Sequence, residues 1–255
     1  MARNLVSGFV TEDGAPLSTS VHILDASTAE KKSTTQSDAN GYYEREWYGA
    51  ESDVLVLAMP STQSRRPLVH GPVSPDVTPP VWATDGSSLA GWTNYGITVS
   101  ATEGLDPPSF QVWPSNNRAY IAPGGSEFDF PDGTIIRIIA KVASGATNLM
   151  NVFFACDSAG AGQMLRLEGR SAESSGIANT ASWLSWNAPH ATFPHIPDAA
   201  FHEYEIIFKS GSLIDLIMDQ QIVLSDELIS RSGPFIGIHG DAGNTGGFID
   251  SIEIY

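Results

Sequence analysis

The sequence predicts an all-β chain folded as two successive domains. Three observations carry that prediction. The stretch Phe201 to Ser225, FHEYEIIFKSGSLIDLIMDQQIVLS, alternates its side chains with a period of two and is cut by turn residues into three short strands. The 24 glycines and 16 prolines among 255 residues favour short strands and tight turns over helices. Prolines at 60, 67, 72, 75, 79 and 80 mark residues 60–80 as an extended, semi-rigid linker between a domain at 1–59 and a domain at 81–255.

In the first domain, Leu5 to Val10 reads as an alternating strand, and Glu12-Asp13-Gly14-Ala15-Pro16 as the turn that ends it. Val21 to Leu24 makes a second strand and Thr34-Thr35-Gln36 a third. Ser37-Asp38-Ala39-Asn40-Gly41 is a tight turn, because Asn-Gly readily adopts positive φ. Tyr42 to Trp47 follows as a strand, and Val54 to Ala58 is a strongly apolar last one. Asp38 and Asn40 could form a cation loop, but side chains that bond their own backbone explain them more simply.

The spacing of Gly8, Val10, Asp13-Gly14-Ala15-Pro16, Val21, Ile23, Ser37 to Tyr42 and Val54 to Ala58 resembles the carboxypeptidase regulatory-like domain, a small Ig- or prealbumin-like β-sandwich. The resemblance implies a docking, spacing or adhesion module without catalytic residues. The Met1-Ala2-Arg3-Asn4 start, this domain, and the Arg-Pro segment Ser64 to Pro75 together resemble virion proteins of tailed phages. That likeness implies a tail-, fibre- or capsid-associated protein, made in the host cytoplasm without a signal peptide and located in the virion. No apolar run follows Met1, so no secretory signal is expected, and no run is long enough for a membrane helix.

In the second domain Ile97-Thr98-Val99, Phe110 to Trp113 and Ala119 to Ile121 read as short strands. Thr134 to Val142 is the longest strand, apolar on both faces as a central strand should be. Asn151 to Cys156 and Gln163 to Glu168 pair next. Residues 169–200 read as irregular and hold Trp183, Trp186, Pro189 and His190, so a functional loop is expected there. The 201–225 meander needs a second sheet to cover its apolar face.

FHEYEIIF…IDLIMDQQIV and the closing GGFIDSIEIY resemble concanavalin A-like jelly rolls, a group that includes laminin G-like modules, legume lectins and laminarinase-type glucanases. Asp219-Gln220 stands where that family usually has Asp-Gly. The resemblance implies a two-sheet lectin-like sandwich, and from the glucanase branch a structural Ca²⁺ held in part by Asp250. No cofactor is otherwise required.

The formal net charge is −16. Residues 1–75 hold 6 Lys/Arg against 9 Asp/Glu, and residues 76–255 hold 7 against 20. A surface so acidic repels phosphate backbones, which argues against nucleic acid as a partner. Cys156 is the single cysteine, so no internal disulfide forms, and its apolar strand predicts a buried, inert thiol.

A glucanase of this fold needs two carboxylates on one strand, about 5 Å apart in retaining enzymes. Glu127-Phe128-Asp129-Phe130-Pro131-Asp132 has the types but reads as the turn before the long strand, and Met164 to Glu168 offers one carboxylate beside Arg166. No phosphate loop, nucleophile elbow or zinc spacing is present. The expectation is a non-enzymic protein.

Sugar recognition needs flat apolar faces for the C–H side of a ring and amides or charged groups for its hydroxyls. Trp183, Trp186, Asn187 and His190 supply these types in one loop, and Trp113, Asn117, Arg118 and Tyr120 in another. The first domain is thus expected to dock to other virion proteins and the second to bind host-surface glycan, in a homo-oligomer. The alternatives are a purely architectural subunit, whose tryptophans plug the sandwich or a subunit contact, and a laminarinase-like hydrolase.

Overall fold

The computed structural model describes residues 2–12, 15–49, 53–59, 68–73, 76–105, 107–112, 117–123, 125, 128–142, 149–169, 174–184, 187–194, 198, 200–240 and 247–255. The chain forms two compact units, Met1–Pro80 and Val81–Tyr255. All regular structure among the described residues is β-strand.

The first unit holds Ala2–Phe9 (β1), Thr11–Glu12 (β2), Ala15–Pro16 (β3), Ser20–Asp25 (β4), Lys31–Gln36 (β5), Tyr42–Gly49 (β6), Val54–Ala58 (β7), Leu68–Val73 (β8) and Asp76–Thr78 (β9). An antiparallel sheet β6-β1-β9 faces a second, β5-β4-β7-β8. Val6, Val21, Ile23, Trp47, Val54 and Val56 are among the residues packed between them. The alternation in β4 places Val21, Ile23 and Asp25 inward. Asp25 is accommodated because its carboxylate accepts the Ser27 hydroxyl and the backbone N–H groups of Ser27 and Thr28, which hold it well below the usual carboxylate range. Asp38 accepts the N–H groups of Asn40 and Tyr42, which makes 37–41 a self-bonded turn.

The linker expected at 60–80 is shorter than its prolines imply. β8 pairs with β7 and β9 pairs with β1, so 68–73 and 76–78 complete the first unit. Both are edge strands, where proline is tolerated, and Pro72 falls beside a register shift opposite Val54 and Val56.

The second unit holds Trp82–Thr84 (β10), Thr93–Tyr95 (β11), Thr98–Ser100 (β12), Ser109–Val112 (β13), Arg118–Ile121 (β14), Ile135–Val142 (β15), Leu149–Cys156 (β16), Ala161–Glu168 (β17), Ser175–Ala181 (β18), Ala191–Phe193 (β19), His202–Lys209 (β20), Leu213–Met218 (β21), Gln221–Leu228 (β22), Phe235–Gly240 (β23) and Gly247–Ile254 (β24). One sheet runs β12-β13-β24-β15-β20-β21-β22, with β10 added on β24. The other runs β11-β14-β23-β16-β17-β18-β19. The core between them includes Phe110, Ile136, Ile138, Val152, Phe154, Leu165, Tyr204, Ile206, Phe208, Ile238 and Ile252. This is a two-sheet jelly-roll sandwich.

The 201–225 meander forms as read. Tyr204, Ile206 and Phe208 point into the core, and Glu203 lies on the opposite face. The turn into β22 puts Asp219 and Gln220 at φ of 47° and 68°, a region that normally selects glycine. The Asp219 side chain offsets that strain locally. Its Oδ1 accepts the Glu203 N–H at 3.0 Å and its Oδ2 lies 2.6 Å from His202 Nδ1. Asp198 lies 3.0 Å from the other ring nitrogen.

One expectation is corrected. Residues 169–200 are not wholly irregular, because β18 and β19 extend the seven-stranded sheet through them. In Ser175-Gly176-Ile177-Ala178 three small residues with weak strand signals surround the one β-branched residue, Ile177. Gly176 is needed because a Cβ there would meet the Ala191 carbonyl at 2.1 Å. Residues 182–184 and 187–190 lie outside any strand.

Two outcomes are expected. Ile138→Ala empties a fully buried site and costs about 2–5 kcal/mol in urea denaturation. For His202, burial opposes the charged ring, but Asp219 and Asp198 outweigh it and raise its pKa above the ordinary value. That stabilisation is complete below an unfolded value of about 6.5 and is lost as pH rises through the raised folded value. The stability advantage over His202→Gln should therefore shrink as pH rises from about 6.5 through the raised folded value. An advantage that does not change over that range would show that the clamp is not charged.

Candidate functional site

Strand alternation turns every second side chain of the seven-stranded sheet away from the core. The registers then fix how those outward residues line up. Tyr95, Arg118, His239, Asn151, Arg166 and Gly176 are successive cross-strand partners over β11, β14, β23, β16, β17 and β18. The adjacent row, two residues along, is Thr93, Tyr120, Gly237, Phe153, Met164 and Ala178. The outer face therefore carries a polar row beside an apolar one.

Trp183 roofs the apolar row. Its ring lies flat on Tyr120, with centroids 4.5 Å apart and planes at 2°, and its edges meet Phe153 and Phe235. The indole N–H donates to the Ser158 carbonyl at 3.1 Å. Two glycines make room for it. A Cβ on Gly237 would come within 2.5 Å of the ring, and one on Gly160 within 2.3 Å of the Trp183 backbone nitrogen. Trp183 is 6% exposed, so its ring stacks on protein and offers no face to a sugar. That corrects the reading of Trp183 as a stacking platform, and the reason is the satellite cluster of Phe153, Cys156, Met164 and Ala178 beneath it.

The Trp183–Tyr120 stack also joins the two sequence-nominated loops. Tyr120 comes from β14, and Trp183 from the 182–190 segment. Asn187 is exposed in that segment and donates to the Asn179 carbonyl at 2.7 Å, while its own carbonyl accepts from Arg166 at 3.2 Å. His190 is exposed, and its backbone N–H is bonded to Ile177. Asn117 donates to the Gly96 carbonyl at 3.0 Å. Arg118 places its guanidinium 4.3 Å from the Tyr95 ring centre, and Tyr95 is 49% exposed. Trp113 and Trp186 lie outside the described residues.

Sequence reasoning missed Tyr95, Asn151 and His239. Asn151 Nδ2 lies 3.3 Å from His239 Nδ1 at the centre of the polar row. Asn151 Oδ1 is buried and has no hydrogen-bond partner among the described residues. Arg166 Nε donates to Glu168 at 2.7 Å, and both side chains are buried. A polar residue in the middle of an apolar strand, as Asn151 is in Leu149-Met150-Asn151-Val152-Phe153, is the signal that could have found the row.

Among the described residues of this sheet's strands, Glu168 is the one carboxylate, and it is held by Arg166. A pair of acids at hydrolase spacing is not assembled there. Asp132 of the other acidic stretch is paired with Arg231 at 2.7 Å, and Glu127 lies outside the described residues. Asp250 Oδ1 accepts the Leu105 N–H at 2.7 Å, and no group of three His, Cys, Asp or Glu able to hold a metal ion occurs among the described residues. Burial raises the Cys156 thiol to about 12, so it is not a nucleophile.

No family model matches the chain, and no curated protein matches it. Solved structures do resemble it. The metal-free carbohydrate recognition domain of Emp46p is 17% identical, with a TM-score of 0.48 over 68% of this chain and 91% of that one. The exoplasmic/lumenal domain of VIP36 in its Ca²⁺/Man-bound form is 10% identical, with a TM-score of 0.46 over 65% of this chain and 82% of that one. The carbohydrate binding module CBM66 from Bacillus subtilis is 10% identical, with a TM-score of 0.42 over 64% and 94%.

Gly237→Ala tests the roof. It should lower stability by about 1–3 kcal/mol and weaken the near-ultraviolet circular dichroism of the packed indole. An unchanged spectrum would show that Trp183 is not locked against β23.

Proposed function

We propose that the second unit binds a glycan, without cleaving it, over the outer face of its seven-stranded sheet. The observation that carries this is the polar row Arg118–His239–Asn151–Arg166, flanked by the exposed Tyr95 on one side and by Asn187 and His190 on the other. The half-exposed Arg118 and the exposed Asn187 and His190 supply the guanidinium, amide and imidazole groups that sugar hydroxyls need, and Tyr95 offers an aromatic surface to C–H groups. The buried members orient the rim, and the exposed ones make contact. Trp113 and Trp186 join the site in this reading on their sequence neighbourhood alone.

The biological setting we propose is a tailed-phage virion, with the first unit docked to tail, fibre or capsid proteins and the second presented to the host surface in a homo-oligomer. The sequence likeness of the first unit and of Ser64 to Pro75 supports it.

A glycan array tests the binding. Arg118→Ala and Asn187→Ala should each reduce the signal by about tenfold, the loss of one charged or amide contact. Full retention in both would remove this site. Reducing-sugar release from a bound polysaccharide, abolished by Glu168→Gln, would instead establish a hydrolase. Mass spectrometry of purified particles reads the virion assignment directly.

A further inference from the structure

A second recognition site lies at one end of the same sandwich and is built from different residues. Between β10 of one sheet and the end of β14 of the other is an open cleft of about 390 Å³. Its floor is aromatic. Trp82 is held by pairing with Ile254, is partly exposed, and rests on Trp92 with ring centroids 6.2 Å apart. Trp92 is itself fixed edge-on against core residue Phe110 at 5.5 Å, and Ile121 closes the apolar wall. The Trp82 platform is therefore preformed and stiff.

Its rim is polar. Asp85, Thr84 and Ser88 line the same cleft. Asp85 Oδ1 accepts the Ser87 N–H at 2.9 Å, and the Ser88 hydroxyl oxygen accepts the Ala90 N–H at 3.1 Å. Thr84 Oγ1 accepts the Gly86 N–H at 3.4 Å. In each hydroxyl the oxygen is used and the hydrogen is left to donate. The Trp82 indole N–H makes no hydrogen bond among the described residues. The cleft thus combines one flat apolar face, a carboxylate acceptor and three available donors.

We infer that this cleft binds a single pyranose residue, stacked by its C–H face on Trp82, with its hydroxyls directed to Asp85, Thr84 and Ser88. A hydroxylated ring explains both halves of the cleft. A quaternary ammonium would use the indole and the carboxylate but leave the hydroxyls and the indole N–H idle. The contact between Trp82 and Trp92 also closes the space that a cation would need between two rings. The site does not rest on the reading of the outer face, because no residue is shared between them. Two sites on one unit would let a chain of sugars be held at two points, which multiplies weak single contacts.

The test uses the full chain labelled with ¹⁵N in its tryptophans, with the Trp82 indole resonance assigned by its loss in Trp82→Phe. Methyl glycosides of glucose, galactose, mannose and N-acetylglucosamine are titrated separately, with choline chloride as a control. At least one glycoside should shift the Trp82 signal saturably. Asp85→Asn and Ser88→Ala should each weaken that response about tenfold while the Trp92 signal of the folded core stays in place. Arg118→Ala should leave the response unchanged. Failure of every glycoside to move Trp82, movement by choline alone, or abolition by Arg118→Ala would each overturn the inference.

Discussion

The second unit depends on two central strands that are buried on both faces. β16 is buried along its full length and β17 along nearly all of it. The inner side is ordinary sandwich packing, but the outer side has no second sheet to cover it. Trp183 supplies part of that cover, and its stack on Tyr120 adds about 0.5–1.5 kcal/mol beyond the area it hides. Because water is removed from this face, each polar group on it needs a protein partner or loses free energy. Arg166 is answered by Glu168 and by the Asn187 carbonyl, and Asn151 by His239. Trp183 and Asn187, between β18 and β19, are therefore tied to the sheet through a ring stack and an arginine.

The same constraint explains what was legible in the sequence. Strands with one buried face announce themselves by alternation, as Phe201 to Phe208 does, and the turns around them follow from Gly211 and from the Asp219-Gln220 pair. A strand buried on both faces loses the alternation, so Leu149 to Cys156 shows where a strand is but not which residue faces which way. Asn151 stands out there as the one polar side chain, and its register with His239 and Arg166 is what places it in the outer row. Composition misled in two places. Proline density around 60–80 reads as a linker, whereas β8 and β9 use those residues as sheet edges. The small residues of β18 read as loop, whereas Gly176 is small because Ala191 and Pro189 press against it.

The candidate site was half visible for a related reason. Residue type can nominate a tryptophan for stacking, but only packing decides whether its face is free. Trp183 and Tyr120 satisfy each other, and the ring left partly open is Tyr95, which nothing in its short segment Thr93-Asn94-Tyr95 distinguishes. In the same way, Trp92 is a buried plug set edge-on against Phe110. Its neighbour Trp82 becomes a platform because that plug holds it still.

Charge separates the two faces of the unit. Residues 76–255 carry 20 acidic groups against 7 Lys/Arg, yet the seven-stranded sheet's strands contribute one carboxylate among their described residues, and it is paired with Arg166. On the other sheet Arg137 lies between Glu203 and Glu253, so acids there outnumber the base they hold. The outer row is thus a nearly neutral strip on an acidic unit. Such a field repels polyanions at long range, whereas the neutral hydroxylated ligand proposed above would be unaffected by it and would meet donors only at contact. Selection by contact rather than by attraction requires donors held in place before the ligand arrives. In the proposed site Arg166, bonded to Glu168 and to the Asn187 carbonyl, holds the segment that presents Asn187 and His190.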